Sequence, residues 1–136
     1  MFSVCLVATS GQHWEQQWSF VLSNFAPDKL YIIGEVDRKV RPFRDHISIE
    51  SAKDIENLVL MMPDNGTHFQ GNQSLVGFEH PEDCCYMFGS DRQILQPEQV
   101  GKEPDAIVYV PTSTNDTMYS FIAGAVTLYD RKVKHG

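Results

Sequence analysis

No stretch of this 136-residue chain approaches the roughly 20 consecutive apolar residues that a membrane-spanning helix requires. Cysteine is scarce: Cys5, Cys84 and Cys85 cannot all pair, and none has the C-x-x-C spacing of a thiolate metal site. All three fall in apolar runs, where free cysteine behaves as a small buried residue. The five histidines (His13, His46, His68, His80, His135) contain no i, i+4 pair, so a metal site is not expected. Neither a G-x-G-x-x-G nor a Walker loop occurs, which removes the dinucleotide and nucleoside-triphosphate readings. A G-x-S-x-G elbow is also absent, which removes the serine-hydrolase reading. Positive charge is thin: 11 Lys and Arg stand against 18 Asp and Glu, a formal net charge of -7. That balance argues against general affinity for nucleic acid.

What is present is a moderate apolar content of 42%, enough to build a core. The length matches one compact domain, spanning residues 1–136. The apolar start lacks a positively charged lead, so a buried strand is expected there instead of a secretory leader. Unpaired thiols then fit a reducing cytoplasm. The few cations are unevenly spread. Arg38, Lys39, Arg41 and Arg44 form one cluster, and Arg131, Lys132 and Lys134 form another. Each has two open readings: a solvated loop or a helix end that favours cations, or a contact for phosphate.

The apolar pattern alternates between strand-like and helix-like segments. Residues 2–8 are a continuous apolar run, as in a strand covered on both faces. Residues 12–25 place Trp14, Trp18, Val21, Leu22 and Phe25 on one helical stripe. Pro27 stops that helix before a second buried strand at 29–33. This β-α-β opening implies a parallel pair with a right-handed crossover. Further strands are expected at 46–49, 58–62, 84–88 and 106–110. A short helix is expected at 52–56 behind Ser51 as N-cap, a turn of helix within 73–78, and a final helix at 118–132. The alternation predicts an α/β fold with a mostly parallel sheet flanked by helices.

Two segments carry more than fold information. The strand at 84–88 runs directly into Gly89 and then Asp91, the layout of a binding turn at the carboxyl end of a parallel strand. The strand ending Ile107-Val-Tyr-Val-Pro111 leads through a polar loop to Met118-Tyr119-Ser120 and a helix. Free backbone groups at such strand ends and helix starts can bind a purine edge or an amino-acid moiety.

These two segments resemble the second and third motifs of the SPOUT superfamily, in particular its SpoU branch of RNA methyltransferases. Leu22-Ser-Asn-Phe-Ala-Pro-Asp28-Lys-Leu-Tyr-Ile-Ile-Gly34 resembles the helix end and second strand that follow the family's first motif. The resemblance covers nearly the whole chain. It implies a C-terminal trefoil knot, S-adenosylmethionine as cofactor, and methyl transfer to RNA, with the ribose 2′-oxygen of tRNA or rRNA as acceptor. It implies a homodimer as well, with the site built across two subunits. Its cofactor loops map here to Met62, Pro63, Gly89, Val110, Pro111 and Met118, and its catalytic positions to Asp91, Thr117 and Tyr119. Asp91 stands where the family has glutamate, and Gln93 where it has glycine. The third-motif asparagine is Tyr119, while Thr117 keeps a hydroxyl.

The first motif departs further. Its Asn, Gly and catalytic Arg align with Trp14, Gln16 and Phe20. Arg92, Arg38, Arg41 or Arg44 could supply the missing cation. The competing expectation is a degenerate SPOUT-like dimer that retains a cofactor-binding or partner-binding role without transfer chemistry. A flavodoxin-like α/β domain with an accidental motif match is the third.

Overall fold

The computed structural model describes residues 1–9, 12–91, 93–114 and 118–135. Its organising element is a sheet of seven strands, all parallel, in the order β3-β2-β1-β6-β4-β7-β5. The central members are β1 (Phe2–Val7), β6 (Cys84–Phe88) and β4 (Leu58–Met61). Outside β1 lie β2 (Lys29–Ile33) and β3 (Ile47–Ile49). Outside β4 lie β7 (Ala106–Tyr109) and the two-residue β5 (Gln73–Ser74).

The continuous apolar runs have a simple cause. Side chains alternate across a strand, and both faces here are covered. Val4, Leu6, Tyr86 and Phe88 enter one buried cluster, whereas Cys5, Val7, Cys85 and Met87 enter the other. The first cluster lies under α1 (Gln12–Asn24) and α3 (Ser120–His135), through Trp14, Trp18, Val21, Leu22 and Leu128. Each such large side chain contributes roughly 1.5–3 kcal/mol by leaving water. The second cluster is closed by Ala52, Ile55, Leu95 and Val100.

Residues 52–56, expected as a helix, form turns instead. Five residues cannot outweigh the cost of nucleating a helix. The Ala52 N–H goes instead to the Gln99 carbonyl, at 2.9 Å. A four-residue helix that the sequence did not announce, α2 (Pro97–Val100), supplies that carbonyl.

One crossover matters for the site. The chain leaves β4, passes through residues 62–72, pairs as β5, and returns to form β6 on the opposite side of β4. Strand β7, the last in sequence, lies between β4 and β5. The two ends of one loop therefore bracket β7. Helix α3 packs closely on α1, where Gly124 is required. A Cβ there would lie 2.4 Å from the Trp18 ring.

Candidate functional site

The carboxyl ends of β4, β6 and β7 are neighbours, because β4 pairs with both other strands. Their following loops enclose a cavity of about 640 Å³, within the size range of small-molecule sites. Met62 and Pro63 come from the loop after β4, Gly89 from that after β6, and Val110 and Pro111 from that after β7. Met118 closes the far wall just before α3. All six positions assigned to cofactor binding thus line one cavity, as does Asp91.

Local hydrogen bonds set the shape of these walls. The Pro63 carbonyl accepts the Gly66 N–H at 3.2 Å and the Gly71 N–H at 2.9 Å, curling the loop onto itself. Gly71 is required there, since a Cβ would sit 2.5 Å from the Met62 carbonyl oxygen. The Met62 N–H continues the ladder to the Val108 carbonyl at 3.0 Å. Gly89 is different: a Cβ would meet only Leu95 Cβ and Met62 Sδ, each at 3.8 Å, so the fold leaves room there.

Asp91 has a structural task that its sequence position does not reveal. Its Oδ1 accepts the backbone N–H of Ser120, the first residue of α3, at 2.6 Å. A carboxylate at a helix N-terminus satisfies an otherwise unpartnered donor and suits the positive end of the helix dipole. The Trp18 indole N–H donates to Ser120 Oγ at 3.2 Å, tying α1 to the same point. Ser120 was not among the expected site residues. It lines the cavity and fixes where α3 begins.

The charge on the cavity is one-sided. Asp64 and Asp91 both contribute to the wall, and no Lys, Arg or His does among the described residues. Such a wall disfavours phosphate and favours a ligand with positive charge. Tyr119, expected as a catalytic group, is not part of the wall. The residue is 59% exposed, and its ring stacks on Phe121 with centroids 6.2 Å apart. Thr117 and Arg92 lie outside the described residues.

The first-motif positions supply no catalytic cation. Trp14 is buried and stacks on Phe43, with centroids 5.8 Å apart and planes 13° apart. Gln16 and Phe20 are exposed on α1.

At the opposite end of the sheet, α3 closes a different kind of cluster. Arg131 is buried, and its Nη1 donates to the Pro81 carbonyl at 2.7 Å and to Tyr86 Oη at 3.0 Å. Its Nη2 donates to the Glu82 carbonyl at 2.6 Å. His80, with a fully buried side chain, lies 2.6 Å from Tyr86 Oη through Nδ1 and 2.6 Å from Asp130 Oδ2 through Nε2. A neutral His80 completes this chain: Tyr86 O–H donates to Nδ1, and Nε2–H donates to Asp130. Burial accordingly holds His80 below its ordinary pKa, against the opposing pull of Asp130. Burial acts to raise Asp130, but hydrogen bonds from Lys134 and His80 outweigh it and hold that carboxyl low. Lys134 donates to the Leu75, Val76 and Phe78 carbonyls as well. Two of the three cations that close the chain are therefore structural. No group of three or more His, Cys, Asp and Glu placed to hold a metal occurs among the described residues.

No protein-family model matches the sequence, and no curated protein is significantly similar to it. Solved structures do match in fold. An RNA 2′-O ribose methyltransferase aligns over 98% of this chain and 56% of its own, at 11% identity and a TM-score of 0.74. A putative RNA methyltransferase of the TrmH family from Porphyromonas gingivalis aligns over 95% of this chain and 58% of its own, at 16% identity and a TM-score of 0.73. An AdoMet-bound rRNA methyltransferase from Sinorhizobium meliloti aligns over 97% of this chain and 56% of its own, at 11% identity and a TM-score of 0.67. The chain therefore has the α/β fold of the SpoU and TrmH methyltransferases and spans a little over half the length of these three.

Proposed function

We infer that residues 1–136 form a SPOUT-type domain that binds S-adenosylmethionine and transfers its methyl group to RNA, at a ribose 2′-hydroxyl of tRNA or rRNA. The observation that carries this reading is the convergence of three strand-end loops on one cavity, in a fold shared with 2′-O ribose methyltransferases. Met62, Pro63, Gly89, Val110, Pro111 and Met118 would cradle the donor, their backbone groups reading the adenine edge. The carboxylate-lined wall, with no cation among the described residues, suits a donor that carries a sulfonium and an ammonium group.

In the transfer, the ribose oxygen supplies the electron pair for the new C–O bond. The sulfur keeps the pair of the broken C–S bond and becomes a neutral thioether, and the hydroxyl proton passes to a base. We assign that base to the Asp91 carboxylate, whose other oxygen holds the start of α3. The family resemblance adds to the proposed catalytic set Thr117, which lies outside the described residues, and Tyr119, whose exposed ring lies off the wall of this cavity.

The active form would be a homodimer. Ile122, Val126, Tyr129 and Val133 are exposed along α3 at spacings of four, three and four, with Tyr119 three residues ahead. That stripe, with exposed Phe20 on α1, is what a helix-to-helix interface presents. The position of β7 between the two strands that the 62–72 segment joins supports a C-terminal trefoil knot. The three free, buried thiols suit a reducing cytoplasm.

A second reading, a cofactor-binding or partner-binding dimer without transfer chemistry, is favoured by one observation. The first-motif positions hold a buried Trp14 and an exposed Phe20 where catalysis calls for a cation. Incubation with methyl-labelled donor and total RNA separates the two. Transfer predicts label that survives alkaline hydrolysis in a dinucleotide, because a methylated 2′-oxygen cannot attack its phosphate. Bound donor with no incorporation would reject the catalytic reading and leave the binding one.

A further inference from the structure

The cavity wall carries no cation among the described residues, so a polyanionic substrate must be held by a neighbouring surface. One such surface is built for it. Lys39, Arg41 and Arg44 are exposed on the segment between β2 and β3, and none forms an ion pair among the described residues. In a chain of net charge -7, three exposed cations within six residues are a local concentration of positive charge.

The segment is braced from beneath. Phe43 is fully buried against Trp14. The buried His46 ring contacts the Phe43 carbonyl through Nδ1 at 2.7 Å. Arg38 Nη1 donates to the Arg44 carbonyl at 3.3 Å and the His46 carbonyl at 3.5 Å, and Pro42 stiffens the single 3-10 turn, Arg41–Phe43. Its own acids are Glu35, Asp37 and Asp45. Asp37 Oδ1 faces the Lys39 N–H at 2.9 Å, while the Asp37 N–H reaches Glu15 at 3.3 Å. A merely solvated loop needs none of this support.

The position fits too. Trp14 and Glu15 belong to the first turn of α1, which follows the carboxyl end of β1. The Asp37–Glu15 bond and the Phe43–Trp14 stack therefore tie this segment to the end of the sheet where the cavity opens, before the chain turns back to enter β3. In strand order β2 is two steps from β6 and three from β4, or about 10–14 Å at ~4.8 Å per step. That span matches about three or four stacked nucleotides at ~3.4 Å each.

We propose that Lys39, Arg41 and Arg44 grip RNA phosphates a few nucleotides from the residue held in the cavity. This rests on the RNA reading above, and it assigns Arg38 to bracing instead of contact. The test uses the triple variant Lys39→Gln, Arg41→Gln, Arg44→Gln, with binding of unfractionated tRNA measured by filter retention from 50 to 200 mM KCl (about the range over which phosphate binding responds to salt). The expected result is a salt-dependence slope shallower by about 2, at ~0.7 for each single-strand phosphate that the variant no longer neutralises. Affinity should drop at least about tenfold at low salt, with melting temperature and S-adenosylmethionine binding unchanged. Equal slopes and affinities for variant and wild type would overturn the proposal, as would a wild type that binds no tRNA. The tRNA measurement is made without the methyl donor. Failure of donor binding would therefore count against methyl transfer alone, and the tRNA result would still decide the phosphate grip.

Discussion

Helix α3 touches two ends of the sheet, and the two ends are built to opposite rules. At its C-terminal end the groups are matched to partners: Arg131 to carbonyls and Tyr86, and His80 to Tyr86 and Asp130. At its N-terminal end the walls are loops, glycine and proline around open space, with one carboxylate holding the helix start. Buried polar groups that are fully satisfied specify a structure. Backbone and small residues left facing a cavity leave room for something else. The charged end is therefore the anchor, and the plainer end is the candidate site.

Removing Arg131 should break the anchor most severely. Arg131→Met leaves the Pro81 and Glu82 carbonyls and Tyr86 without their donor, at a cost of about 3 kcal/mol. Thermal denaturation should show a melting temperature lower by roughly 10 °C. Donor binding, measured well below that temperature, should persist.

A smaller effect comes from His80. Its pKa is held below the ordinary value in the folded protein, so the unfolded chain binds more protons as pH falls below about 6.5. Stability should therefore be full above that pH and decline as the solution is acidified through the folded value. In His80→Gln, the fall in melting temperature between pH 7 and pH 5 should be shallower. Equal pH slopes would contradict the assignment of a neutral, buried imidazole.

Gly89→Ala should barely alter stability, by less than about 0.5 kcal/mol, because the added methyl meets only van der Waals neighbours. The same methyl narrows the cavity, and affinity for S-adenosylmethionine should fall by about tenfold, or 1.4 kcal/mol. Calorimetry and melting on one protein sample would check both halves.

Much of this architecture could be read in advance. The five longest strands are apolar runs, and a run buried on both faces looks apolar regardless of its partners. Strand β5 could not be read, since Gln73 and Ser74 have no strand character and are held by the backbone of β7. Helix α2 escaped because its capping box uses Gln96 and Gln99 in place of the usual hydroxyl residue. The short helix expected at 52–56 failed for the converse reason: a plausible cap at Ser51 does not secure five residues.

At the site, the loops were legible from strand-end glycine and proline. The bond from Asp91 to Ser120 was not, because it spans 29 residues of sequence. Arg131 read as one of three clustered cations, open to either a helix-end or a phosphate-contact role. Only the packing of α3 against residues 80–86 reveals it as buried.

Methyl transfer by this chain requires that the cavity at the carboxyl ends of β4, β6 and β7 be a methyl-donor site. Calorimetric titration of the folded chain with S-adenosylmethionine tests this directly. We expect one site per chain with a dissociation constant near the micromolar range, or about -8 kcal/mol. No binding heat up to millimolar donor, from a protein that still melts cooperatively, would contradict it.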